Sequence, residues 1–222
     1  MREVVQSIIP IVRESFYTIY VKRFLDILLS AIAILVLSPV LIIVAFLVLI
    51  FHGRPILFGQ ERPGKNEVIF KLYKFRSMNN DTDENGVLLP GDKRVTKFGR
   101  LIRKFSLDEL PELFSILKGD MSIIGPRPLL PKYLPYYTER HKRRHSVRPG
   151  FACVPIKPIK TWTWNDQFEN DIFYIENCSF SLDVKMLFAV AREAIVGSEY
   201  RVNDTREEFN GENLFSDCKN TQ

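Results

Sequence analysis

Residues 27–51 read ILLSAIAILVLSPVLIIVAFLVLIF, 25 positions without a charged side chain. As a straight helix this run extends roughly 37 Å, enough to cross a hydrocarbon core of ~30 Å. Two features oppose a simple crossing. Ser38-Pro39 sits at the midpoint, where proline withdraws a helical hydrogen bond and kinks the axis. Lys22 and Arg23 precede the run, and Arg54, Arg62 and Lys65 follow it. Basic flanks favour the cytoplasmic side, and here both flanks are basic. The residues alone leave two readings open: a spanning helix, or a broken helix that enters and returns to the same face. In the second, the Ser38 hydroxyl helps satisfy backbone groups released by Pro39.

The chain has 222 residues, 46% of them hydrophobic, with a formal charge of +5. That is enough for one domain with a core and an appendage, and the basic balance points to an anionic partner. Cys153, Cys178 and Cys218 are scattered and odd in number, which fits a reducing compartment rather than a disulfide framework. His52, His141 and His145 form no ligand pattern and are expected to be solvated or structural. Residues 1–20 carry one apolar stripe, interrupted near Pro10, that reads as an interfacial helix and not as a signal peptide.

After Gly53 the period changes. Residues 56–60 and 68–77 read as two strands joined by Arg62-Pro63-Gly64-Lys65-Asn66, a hairpin signal. Phe70, Leu72, Lys74 and Arg76 then share one face. Residues 79–93 form a polar surface loop. Asp81, Asp83 and Asn85 begin like a calcium loop, but the closing glutamate is missing. Residues 94–105 predict an amphipathic basic helix, with Arg103 nearest the stretch that follows.

That stretch, SLDELPELFSILKGDMSIIGPRP over 106–128, carries the candidate chemistry. Asp108 and Glu109 are adjacent carboxylates at the start of an apolar helical pattern. One reading is structural: Ser106 and Glu109 form a capping box, with Asp108 favouring the helix dipole. Another places a carboxylate beside a bound phosphate. Gly125-Pro126-Arg127-Pro128 presents one arginine from a stiff bend, and its planar fork suits phosphate.

The basic run over 139–148, ERHKRRHSVR, reads better as a membrane-proximal patch than as a nucleic-acid reader, since no reader motif accompanies it. Trp162 and Trp164 suit either the headgroup level or the core. Residues 181–195 predict a helix. From Asn203 the chain is polar and a poorly ordered tail is expected.

The order of these pieces resembles the bacterial sugar transferase family, the small monotopic polyprenyl-phosphate phosphoglycosyl transferases. The resemblance is carried by the basic pair before an apolar run broken at Ser-Pro, then Phe58-x-Gln60-x-Arg62-x-Gly64 and Lys74-Phe75-Arg76-Ser77-Met78. It continues through Leu107-Asp108-Glu109-Leu110-Pro111, Lys118-Gly119-Asp120-Met121-Ser122, Gly125-Pro126-Arg127-Pro128 and Arg148-Pro149-Gly150, and covers about residues 20–197.

The resemblance implies an α+β, mostly helical monotopic membrane protein with a re-entrant helix and a small β-hairpin. Its parts would be an interfacial segment (1–21), a re-entrant helix-break-helix (22–53), a catalytic domain (54–200) and a polar tail (201–222). The implied reaction moves a sugar 1-phosphate from a UDP-sugar to undecaprenyl phosphate, releasing UMP through an aspartyl intermediate. This would start a lipid-linked glycan at the cytoplasmic face of the bacterial inner membrane, with downstream glycosyltransferases as partners and no nucleic acid. Asp108 matches the nucleophile and a ligand of Mg²⁺, and Glu109 its dyad partner. Arg127, Arg103, Lys74, Arg76 and Arg62 match substrate-binding positions. Lys22, Arg23, Ser38 and Pro39 match membrane positions. Two departures stand out. Residues 151–160, FACVPIKPIK, lack the family's glycines and arginine, and Glu112 replaces its usual glutamine. The alternative they leave is a membrane-bound scaffold that kept the fold and lost the chemistry.

Overall fold

The computed structural model describes residues 15–153, 163–196 and 208–214. The expectations for residues 1–14, for 154–160 of the altered segment and for Trp162 lie outside them.

A π-helical turn over Tyr17–Val21 runs into α1, Lys22–His52. By length and composition α1 can cross a membrane, and most of its apolar side chains face outward. The helix runs on continuously through Pro39, so the expected helix-break-helix does not appear as a gap. The physical reason is local. Pro39 has no N–H to offer the carbonyl of Leu35, four residues back. The Ser38 hydroxyl donates to that carbonyl instead, at 2.8 Å.

The start, middle and end of α1 all rest on the same body. Near its start, Arg23 donates to the Ile116 and Leu117 carbonyls at 2.7 and 2.9 Å. Asp26 accepts from the Ser122 hydroxyl and the Ile123 amide at 3.0 and 2.9 Å. Lys22 pairs with Asp183 at 2.6 Å. In the middle, Ala33, Ile34 and Leu37 pack on Phe70, Leu72, Leu113, Ile116 and Met121. Near the end, Val44 and Val48 pack with Phe75 and Ile102. His52 Nε2 lies 3.0 Å from Thr96 Oγ1.

The hairpin forms as expected, from β1 (Leu57–Pro63) and β2 (Ile69–Phe75), antiparallel with Phe58 opposite Lys74. Its parity is the one read from sequence: Phe70 and Leu72 are buried. The helix predicted over 94–105 forms from Lys97 onward, and Arg94 belongs instead to a short helix before it. A short α2 (Gly91–Arg94) ends before Val95, and α3 (Lys97–Lys104) starts where the Thr96 hydroxyl caps the Gly99 amide at 2.8 Å. A 3₁₀ turn over Leu107–Glu109 and Pro111 precede α4, Glu112–Lys118, which ends on Gly119 at φ 109°.

Not anticipated from sequence, β3 (Ser122–Ile124) pairs in parallel with β4 (Gly150–Ala152). Gly125 and Gly150 meet there so closely that a Cβ on Gly150 would lie 2.1 Å from the Gly125 nitrogen. A short α5 (Glu139–Lys142) is followed by α6 (Trp164–Asn177) and α7 (Phe180–Val196). Thr163 and Asp166 form a capping box on α6. Trp164 lies in an aromatic core with Tyr133, Tyr137, Phe168 and Phe209, so it packs rather than anchors at a surface. Phe209 corrects the expectation of a loose tail over 208–214: it is 3% exposed.

The basic run over 139–148 also departs from the membrane-patch reading. Arg140 pairs with Glu169, Arg143 with Glu176 and Lys142 with Glu139. Arg144 is buried against Asp171 at 2.8 Å. Acids brought in by α6 use up most of this charge.

Candidate active site

The capping-box reading of Ser106 and Glu109 fails. Ser106 sits in left-handed backbone at φ 53° and its side chain makes no capping bond. Glu109 turns instead to two cations: Lys74 Nζ at 2.6 Å and Arg127 Nη2 at 2.8 Å share its Oε1. Lys74 reaches it because strand parity places 74 on the same side as Phe70 and Leu72. Arg127 reaches it because its loop is tied down. Arg62 donates to the Pro128 carbonyl at 3.1 Å, and the Gly150 amide to the Pro126 carbonyl at 2.9 Å. Arg144, from the core, donates to the Arg127 carbonyl at 2.7 Å.

Asp108 has a different environment. It is 8% exposed, and among the described residues no lysine or arginine pairs with it. Burial raises its pKa first, and the Glu109 charge raises it further, against the pull of Lys74 and Arg103. Burial also opposes ionisation of Glu109, but Arg127 and Lys74 outweigh it and hold that carboxyl at about 2. Two neighbouring carboxylates are thus pushed apart, a pattern that assigns them unequal roles. Glu112, behind them, is buried and pairs with Lys74 at 3.0 Å.

Asp108 and Glu109 line a cavity of about 700 Å³ together with Arg62, Lys74, Arg76, Arg103 and Arg127. All seven residues expected in catalysis or substrate binding therefore meet at one site. Arg94, Ser77, Asn79 and Asn80 also line it and were not picked out from sequence. The wall carries six cationic side chains and two carboxylates, an electrostatic well for a multiply charged anion.

Not every cation is free for a ligand. Arg76 spends its guanidinium on the backbone carbonyls of His52, Arg54 and Met78, each at 3.1 Å, and so ties the cavity to the end of α1. Arg103 Nε donates to the Ser77 hydroxyl at 2.8 Å. Lys22 and Arg23 are remote from the cavity and tie α1 to Asp183 and to the end of α4.

The family's sequence profile, described as bacterial sugar transferase, matches residues 17–197. The chain belongs to the bacterial sugar transferase family. It is 48% identical over 162 residues to the uncharacterized sugar transferase EpsL of Bacillus subtilis, covering 72% of this chain and 80% of that one. It is 37% identical over 187 residues to an Aeromonas hydrophila UDP-N-acetylgalactosamine-undecaprenyl-phosphate N-acetylgalactosaminephosphotransferase, covering 80% of this chain and 44% of that one. A Salmonella typhimurium undecaprenyl-phosphate galactose phosphotransferase is 32% identical over 191 residues, covering 78% and 40%. The chain thus spans less than half of the two relatives named as phosphotransferases. Within the family, the matched region takes in the whole cavity wall.

Proposed function

We propose that this sugar transferase moves a sugar 1-phosphate from a UDP-sugar to undecaprenyl phosphate, with release of UMP. The observation that carries the reading is the split dyad. Glu109 absorbs Lys74 and Arg127, while Asp108, buried and without an ion pair among the described residues, faces a cationic cavity.

The chemistry follows from that division. An Asp108 carboxylate oxygen attacks the phosphorus that bears the sugar, and the bond from that phosphorus to the UMP oxygen breaks. UMP leaves with the electron pair, and the cationic wall offsets its charge. The acceptor's phosphate oxygen then attacks the same phosphorus, and the Asp108 carboxylate departs. Raised basicity suits Asp108 to attack, and fixed ionisation suits Glu109 to hold its two cations in place.

The described residues contain no cluster of three metal-ligating side chains. Mg²⁺ carried on a diphosphate needs only one or two protein carboxylates, so Asp108 beside the phosphates fits it. When bound there, it would supply further charge neutralisation. The direct test is UMP release over many turnovers from a panel of UDP-hexoses and UDP-N-acetylhexosamines. Sustained release needs both a UDP-sugar and undecaprenyl phosphate; sustained release without the lipid would contradict the reading.

The membrane reading is monotopic, with α1 re-entrant and both its ends on the cytoplasmic face. Contacts from both ends of α1 to one body support it, because a straight crossing would separate the two ends by a bilayer. The expected result concerns single cysteines at Ser15 and Asn210 in a cysteine-free chain. In intact cells an impermeant thiol reagent labels neither, and after the membrane is opened it labels both. Labelling of the Ser15 site alone in intact cells would show a spanning helix.

A further inference from the structure

The cations of the cavity wall differ in one respect. Lys74 and Arg127 are held by Glu109, Arg62 by Gln60 and the Pro128 carbonyl, Arg76 by backbone carbonyls and Arg103 by Ser77. Arg94 also lines the cavity, yet among the described residues its guanidinium has no hydrogen bond or ion pair, and its Nε is buried. Beside it, Asn79 Oδ1 is a buried acceptor without a donor. Its Nδ2 faces Asp81 and donates to it, the arrangement that leaves Oδ1 as the open acceptor. The two residues are neighbours by backbone, the Asn79 amide donating to the Arg94 carbonyl at 3.0 Å. Folded proteins leave few buried polar groups unpaired, and such groups at a cavity wall point to a partner that arrives with the ligand.

The missing partner must offer an acceptor to Arg94 and a donor to Asn79 Oδ1. An ionised diphosphate offers acceptors only, so it leaves Asn79 unpaired. A ring hydroxyl, an acetamido group or the imide of uracil offers both. We infer that Arg94 and Asn79 form a specificity element that binds the uncharged, hydrogen-bonding end of the nucleotide sugar. The inference rests on the UDP-sugar reading and adds to it the part of the wall that reads the neutral portion of the substrate.

The test measures binding to the full chain in lipid nanodiscs, in an Asp108→Asn background that stops turnover. The ligands are inorganic diphosphate, UMP, a UDP-hexose and a UDP-N-acetylhexosamine. Asn79→Ala and Arg94→Gln are each expected to weaken at least one UDP-sugar about tenfold. Diphosphate binding should change by less than about twofold for Asn79→Ala, since no phosphate bond is lost. Unchanged UMP binding assigns the element to the sugar, and an equal loss for UMP assigns it to the base. Arg94→Lys keeps the charge and loses the fork, so it too should weaken the UDP-sugar. An unchanged melting temperature separates these effects from unfolding. Full UDP-sugar affinity in all three variants overturns the inference, as does an equal loss for diphosphate in Asn79→Ala. Failure of the parent to bind any nucleotide would overturn the UDP-sugar reading itself and the inference with it.

Discussion

Asp108→Asn yields a folded, membrane-bound protein whose UMP release falls on the order of 10⁴-fold or more, since it removes the proposed nucleophile of a covalent mechanism. The substitution keeps volume and shape but removes the charge and the attacking lone pair. The fold should tolerate it well. Asp108 holds no ion pair among the described residues, and its pKa is raised by burial, so its charge costs the folded state stability at neutral pH. The variant is therefore expected to melt at or above the wild-type temperature. Glu109 behaves oppositely. Its carboxyl is held at about 2 by Arg127 and Lys74 against burial, so Glu109→Gln releases Arg127, leaves Lys74 with Glu112 alone and loosens the Arg127 loop. Wild-type rates of UMP release from Asp108→Asn would remove that residue from the chemistry.

The second large effect is on stability. Arg144→Ala should destabilise the fold by about 3–5 kcal/mol, because it strands a buried carboxylate. Arg144 and Asp171 are each 2% exposed and pair at 2.8 Å. Arg144 also donates to the Tyr137 hydroxyl at 3.0 Å and to the Arg127 carbonyl at 2.7 Å. The bond to Arg127 links the core to the active site. Replacing both members of the pair with apolar residues, Arg144→Met with Asp171→Leu, should restore much of the melting temperature. It should not restore nucleotide affinity, because the loop carrying Arg127 has lost an anchor. Thermal melts and UMP titrations on the single and double variants check both halves. Full affinity in the double variant would show that Arg144 serves stability alone.

The legible parts of the molecule were those with short-range physical signatures. Two-residue periodicity placed Lys74 on the buried face of a hairpin strand, and the structure puts it on Glu109. The stiff Gly-Pro-Arg-Pro bend put Arg127 in a fixed loop. The missing proline hydrogen bond and the serine beside it marked the middle of α1, although the serine restores the helix there rather than opening a gap.

What sequence did not disclose depends on partners far along the chain. The cations over 140–144 look like a surface patch until α6 brings Glu169, Asp171 and Glu176 against them. Phe209 sits in a polar stretch, and only the aromatic core around Trp164 and Phe168 shows why it is buried. The parallel pairing of β3 and β4 involves strands of three residues each, too short for a periodic signal. Arg94 is one basic residue among several in its segment. It stands out only once the cavity wall is assembled and every other cation on it has a partner. Glu112 stands out in sequence as a departure from the family's usual glutamine, but only the fold shows that its buried carboxylate meets Lys74.

The central claim is that Asp108 carries the sugar phosphate between donor and acceptor. Intact-mass spectrometry of the full chain, mixed with a UDP-sugar and Mg²⁺ but no lipid acceptor, tests it most directly. The account predicts one phosphosugar adduct per chain, mapped to Asp108, with one equivalent of UMP released. Addition of undecaprenyl phosphate should then discharge it. An adduct on another residue, or rapid turnover with both substrates and no adduct with the UDP-sugar alone, would contradict the account.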